Sequence, residues 1–316
     1  MHGKWGFAKK GRLALLLALW CAALLAAGQS VFASGLTSWK LVLEIKNKEG
    51  DTPLRRPRAV VVDNKGRIIV LEAAEKVVIY DGQGKFVKEF GKKGRKEGSF
   101  NDPLGLAVDA EGRIYVSDTG NARVEVFSPE GELLLSFGEK GSGPGQFLRP
   151  GPMAIGNGLL YVVDIENHRV SAFDLSGKHK FDFGEKGQDD GQLLYPLGIA
   201  IDRAGYIYVV NSLNFRIEVY NKDGKFEYNF GEAGDTEGTF SRPKNVAFDQ
   251  KDNLYVTDSL LSLVQILDTD GNYVGKVGGD SEIPLFAQPL GIWVDAKGRV
   301  YVADQGNDRI AVFEAQ

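Results

Sequence analysis

The chain has 316 residues, 43% hydrophobic and 25% charged, the proportions of a globular protein rather than a disordered or fibrous one. Acidic residues outnumber basic ones by 42 to 38, which disfavours nucleic acid as a partner because its phosphates demand cationic contacts. Cys21 is the only cysteine, so intrachain disulfides, thiolate-bound zinc modules and haem held by paired cysteines are excluded.

In chain order, Lys4, Lys9, Lys10 and Arg12 form a positive start, an apolar run follows from Leu13 to Ala27, and Val31-Phe32-Ala33 ends it. This is the layout of a secretory signal peptide cut after Ala33, and the run is short of the roughly 20 residues a spanning helix needs. The expectation is a signal peptide at 1–33, a secreted or periplasmic protein, and one domain at 34–316. The alternative is membrane attachment through a retained 13–27 segment. Removal of Cys21 with the leader would also exclude a cysteine nucleophile.

A proline-led phrase then recurs six times. It reads PRAVVVD from Pro57, PLGLAVD from Pro103, PGPMAIG from Pro150, PLGIAID from Pro196, PKNVAFD from Pro243 and PLGIWVD from Pro289, at steps of 46 or 47 residues. A fixed period of this length means a repeat architecture. In the unit Pro103–Arg149, Leu106–Val108, Arg113–Ser117, Arg123–Phe127 and Glu132–Phe137 read as strands. They are separated by the turn Asp109–Gly112, the polar loop Asp118–Asn121 and the turn Pro129–Gly131. Four short strands with no helical pattern between them describe one antiparallel blade. The sixth copy stops at Gln316 without a fourth strand, and Lys40–Ile45 resembles the fourth strand Lys85–Phe90. The N-terminal segment is therefore predicted to complete the last blade and hide a sheet edge, with Leu41, Leu43 or their neighbours as the residues whose burial would stabilise it. The fold class is all-β, a closed six-bladed β-propeller of four-stranded antiparallel blades.

The phrases Gly291–Asp295 (GIWVD), Gly298–Asp304 (GRVYVAD) and Asn307–Phe313 (NDRIAVF) resemble the NHL repeat. The resemblance covers nearly all of 34–316 and implies a six-bladed propeller. Animal relatives often place this domain after a zinc-binding module and contact protein or RNA, while many bacterial members are secreted. An enzymatic relative of the fold, the peptidylglycine amidating lyase, uses metal-bound histidines in its central channel.

Two carboxylate positions recur. Asp63, Asp109, Asp202, Asp249 and Asp295 follow the first strand and are read as turn residues, with Gly156 replacing them in blade three. Asp118, Asp164, Asp258 and Asp304 end the second strand, with Glu72 and Asn211 in the other blades. Asn121, Asn167, Asn214 and Asn307 follow three residues later, then Arg123, Arg169, Arg216 and Arg309. A ring of six loops is too wide to converge on one calcium ion, so the expectation is an Asp–Asn–Arg network bracing each loop. The positions after each proline carry no Asp, Glu or His, and His168 and His179 fall in separate elements. No catalytic, metal or cofactor residue is therefore assigned, and the second reading is a hydrolase or lyase with a metal in the central channel.

The remaining signal is a basic rim on the face of the proline-led loops: Arg56, Arg58, Arg149, Arg242 and Lys244. Blade five adds Leu260, Leu261 and Leu263 where other blades have Gly, Asn and Arg. Exposed leucines in a loop mark a contact surface. These residues are the candidate contacts of a monomeric, non-catalytic scaffold for a protein partner, whose complementary charge would be acidic, with an anionic polymer or nucleic acid as a weaker alternative.

Overall fold

The computed structural model describes residues 38–50, 52–279 and 286–316; the expected signal segment 1–33 and the 13–27 anchor lie outside them. Among the described residues no helix is long and apolar enough to cross a membrane.

Turn chemistry sets the strand lengths. In blade two the Gly112 N–H donates to the Asp109 carbonyl at 3.0 Å, closing the turn between strands Gly105–Val108 and Ile114–Asp118. The Asp109 carboxylate locks that turn, accepting from the N–H groups of Glu111 and Arg113, the Arg113 Nε and the Tyr115 hydroxyl. Asp249 and Asp295 hold their turns in the same way. Blade three lacks the aspartate and uses Asn157-Gly158, both at positive φ, as a two-residue hairpin turn.

The strands form six four-stranded antiparallel sheets, and the six first strands pack side by side around an axis, that of blade six against that of blade one. Apolar residues of facing sheets merge into six cores, one between each pair of neighbouring blades. Close approach at the axis demands small residues. A Cβ on Gly105 would sit 2.2 Å from the Gly151 carbonyl oxygen of the next blade.

The loop joining one blade to the next folds on itself, as the bridge between Lys93 and Phe100 illustrates, and drives one fully buried ring or leucine into the core. Phe100, Phe147, Leu193 and Phe240 fill this role, with Phe286 at 2% exposure before blade six.

Ring closure follows the expected pairing. The strand Trp39–Ile45 lies antiparallel to Arg309–Ala315 as the fourth strand of blade six. Of Leu41, Leu43 and their neighbours, it is the neighbours that are buried. Leu41 is exposed, Leu43 is half-buried, and the buried anchors are Trp39 and Ile45. A register shift between Leu41 and Leu43 pairs Leu41 with Phe313 but Leu43 with the adjacent Val312. Slipping by one residue turns the two leucines toward opposite faces of the blade. Trp39 packs in the core between blades five and six and Ile45 in that between six and one, so one strand ties three blades together.

Candidate functional site

The second-to-third-strand loops meet the proline-led loops on one face of the ring, and a polar post at the end of each second strand joins them. In every blade the residue two before the anchor proline donates its N–H to that post. The pairs are Arg55 to Glu72, Asn101 to Asp118, Leu148 to Asp164, Leu194 to Asn211, Ser241 to Asp258 and Ala287 to Asp304, at 2.6 to 3.2 Å. All six posts are fully buried. In blade two, Asp118 Oδ2 also accepts from Asn121 Nδ2 at 2.6 Å and Arg123 Nε at 2.9 Å. Arg123 continues to the carbonyls of Lys96 and Ser99, and Asn121 to that of Gly94.

Asp304, Asn307 and Arg309 repeat this cluster, and Arg309 reaches on to Glu44 of the closing strand at 2.7 Å. Asn167 bonds Asp164, whereas Arg169 lies 3.9 Å from that carboxylate and donates to carbonyls of the inter-blade loop. In blade four Asn211 replaces the carboxylate, so Arg216 pairs with Glu218, while Asn214 holds the Gly187 carbonyl.

The sequence pattern did not single out Glu125, Glu218 and Gln265, in the middle of the third strands. Each is buried and accepts an N–H from an inter-blade loop, from Gly98, Gly191 and Gly238. Burial pushes Glu125 up to about 7 against the Gly98 N–H and Arg123, and its Oε2 has no hydrogen-bond partner among the described residues. Burial likewise raises Asp118 and Asp164, their hydrogen-bond donors opposing it.

The cationic residues divide by radius. Arg58, Arg149 and Lys244 line a cavity of about 330 Å³ at the mouth of the axis, together with Leu104, Pro152, Ile165, Tyr195, Leu197, Asn245, Leu290 and Gly291. Arg58 is paired with Asp102 at 2.7 Å, and Arg149 lies 3.7 Å from Glu166. Lys244 has no carboxylate within 4 Å among the described residues, and burial, with Arg242 adding to it, pulls it below the ordinary lysine range. Arg56 and Arg242 are exposed and do not line the mouth. Leu260 is 63% exposed, while Leu261 and Leu263 are half-buried beside it.

Below the mouth, a channel of about 210 Å³ runs along the first strands, lined by apolar side chains, Gly105 and Asn245. Among the described residues no group of three or more His, Cys, Asp or Glu could hold a metal ion. His168 is buried in a left-handed conformation and accepts the Tyr195 N–H on Nδ1 at 3.1 Å, which puts the proton of the neutral ring on Nε2. Burial lowers its pKa. His179 lies in the outer strand of blade three, 2.9 Å from Asp182.

Comparison with known proteins places these residues in context. The NHL repeat matches at residues 100–127 and 286–313, in the second and sixth units. The chain is 48% identical over 42 residues to the B-box type zinc finger protein ncl-1 of Caenorhabditis elegans and 44% identical over 43 residues to the human E3 ubiquitin-protein ligase TRIM32. These stretches are 13% and 14% of the chain and only 5% and 7% of the relatives' lengths. Among solved structures, a streptogramin B lyase superposes with a TM-score of 0.64 at 14% identity, over 90% of this chain and 99% of that one. A catalytically inactive virginiamycin B lyase from Staphylococcus aureus superposes with a TM-score of 0.59 at 17% identity, over 82% and 80%. Likeness at that identity is likeness of fold. The chain carries NHL repeats folded as a closed six-bladed β-propeller.

Proposed function

We propose that the propeller is a non-catalytic scaffold that engages an acidic protein partner through the face of the proline-led loops. The observation that carries this reading is a division of labour on that face. Backbone donors and the Asp–Asn–Arg clusters are turned inward on the posts, while Arg56, Arg242 and Leu260 stand exposed between them. Loops held rigidly on a ring present side chains at low ordering cost, and an arginine-rich surface with an apolar anchor suits an acidic protein surface. The layout of residues 1–33 favours export, so the partner is sought in the cell envelope or outside it.

The test is quantitative co-purification from the native envelope, comparing the wild type with an Arg56→Glu/Arg242→Glu double variant. The expected result is loss of the co-purifying protein at an unchanged melting temperature. Equal recovery by the variant would refute the assignment of this face. The second reading, a lyase or hydrolase with a metal in the channel, draws on the superposition with lyases. The apolar lining of the channel argues against it. A stoichiometric metal in the purified protein would reverse that preference.

A further inference from the structure

We propose that the axial mouth is a binding site for a compact apolar molecule carrying a single carboxylate. The inference concerns the centre of the ring and does not depend on a protein partner at its rim.

The mouth alternates in character from blade to blade. In the even blades the residue after the proline is a leucine, Leu104, Leu197 and Leu290; in the odd blades the mouth is lined by Arg58, Arg149 and Lys244. Three aliphatic side chains thus interleave with three cations around one cavity, and Pro152, Ile165 and Tyr195 add apolar wall. Concave, largely apolar sites with few convergent polar groups are where small ligands bind.

Charge selects the ligand class. Arg58 is engaged by Asp102 and the Pro103 carbonyl, and Arg149 faces Glu166. Lys244 is the mouth cation without a carboxylate among the described residues. Keeping a half-buried ammonium unpaired costs free energy, which an incoming anion recovers. Beside it, Asn245 Oδ1 accepts the Val246 N–H, leaving Nδ2 as a donor with no hydrogen bond among the described residues. One ammonium and one amide match one carboxylate. The apolar channel beneath offers no charged group for a second.

The shared chemistry has two sources, a free carboxylic acid or the C-terminus of a chain ending in an apolar residue. The experiment separates them by calorimetric titration of the full chain with 4-phenylbutyrate, its uncharged amide, a short peptide ending in a free-acid leucine, and the same peptide amidated. Saturable binding of 4-phenylbutyrate is expected, at least tenfold weaker for its amide, as loss of one charge-assisted hydrogen bond implies. Lys244→Met is expected to weaken binding by about tenfold or more, and Lys244→Arg to retain it, with melting temperature following the fold of each variant. Binding of the peptide acid alone, lost on amidation and in Lys244→Met, supports the site and assigns the chain terminus as the source. Absence of saturable binding of either acid to about 10 mM, equal binding of acid and amide, or equal binding by Lys244→Met would overturn the proposal.

Discussion

Blades two and five solve the same structural problem with different atoms. In blade two the buried Asp118 carboxylate takes one backbone N–H and completes its shell with Asn121 and Arg123. In blade five Asp258 is served by backbone N–H groups, from Ser241, Arg242, Leu260 and Leu261. A post satisfied by backbone leaves the side chains that follow it unconstrained by charge. That is why blade five can carry Leu260, Leu261 and Leu263 where blade two needs Gly120, Asn121 and Arg123. The repeat keeps the post and relaxes the loop, and the relaxed loop is where surface chemistry varies.

The largest effect is expected where blade five leans on the closing strand. Trp39 stacks edge-on against Tyr255 at 6.1 Å and is 5% exposed. Among the described residues its indole nitrogen has no hydrogen-bond partner, so its contribution there is packing. Trp39→Ala should cost about 3–5 kcal/mol in denaturant unfolding. Amide exchange should accelerate first in blades five and six, with blade two still protected. Uniform acceleration across all six blades would remove the asymmetry.

Next comes the cation of blade two. Arg123 lies between the fully buried Asp118 and Glu125 carboxylates, at 2.9 and 3.0 Å. Arg123→Leu copies Leu263 of blade five, but here it strands buried acids and should cost about 3–5 kcal/mol, less whatever Glu125 recovers by protonation. The reciprocal Leu263→Arg should change stability by less than about 1 kcal/mol, because Asp258 already has its donors. Equal costs in the two blades, measured by urea unfolding, would show that the contrast does not lie in how each post is supplied with donors.

Much of this was legible in the sequence. The spacing of the prolines gives six blades, the missing last strand and its likeness at Lys40–Ile45 give closure, and the Asp–Asn–Arg spacing marks the braced loops. Three features were not legible. The Leu41/Leu43 register shift inverts a face without altering the alternation that sequence displays. The donors to each post include a backbone N–H two residues before the blade's own anchor proline, which no side-chain pattern encodes. Glu125 and Glu218 alternate with apolar residues as a solvent-facing position would, yet the inter-blade loop covers them.

Glu125 supplies the pH test. Burial raises it from 4.5 to about 7, so the folded state binds its proton more tightly than the unfolded chain does. Between these values the folded state holds more protons, and the stability associated with Glu125 falls as pH rises from about 4.5 to about 7. Blade five already has a glutamine here. Gln265 accepts the Gly238 N–H and donates to the Thr239 carbonyl. Glu125→Gln should therefore raise stability at pH 8 by about 1–3 kcal/mol and leave it unchanged near pH 4.5. A gain of the same size at both pH values would locate the effect outside this titration.

The smallest stability change is expected at Leu260, and it separates display from structure. At the matching position of blade two a Cβ on Gly120 would lie 2.7 Å from the Asn101 carbonyl oxygen, because the Gly120 N–H bonds that carbonyl directly. Gly120→Ala should accordingly cost about 1–3 kcal/mol. In blade five the cross-loop bond is made one residue earlier in the second loop and one later in the first, from the Ser259 N–H to the Arg242 carbonyl. The shifted bond leaves Leu260 room to stand 63% exposed. Leu260→Ser should then alter the unfolding free energy by no more than about 0.5 kcal/mol. If the proposed partner docks here, the same substitution should weaken its binding by roughly tenfold, the loss of a central apolar contact. A drop in stability with binding intact would return Leu260 to the architecture of the blade, and the contrast with blade two would then concern packing alone.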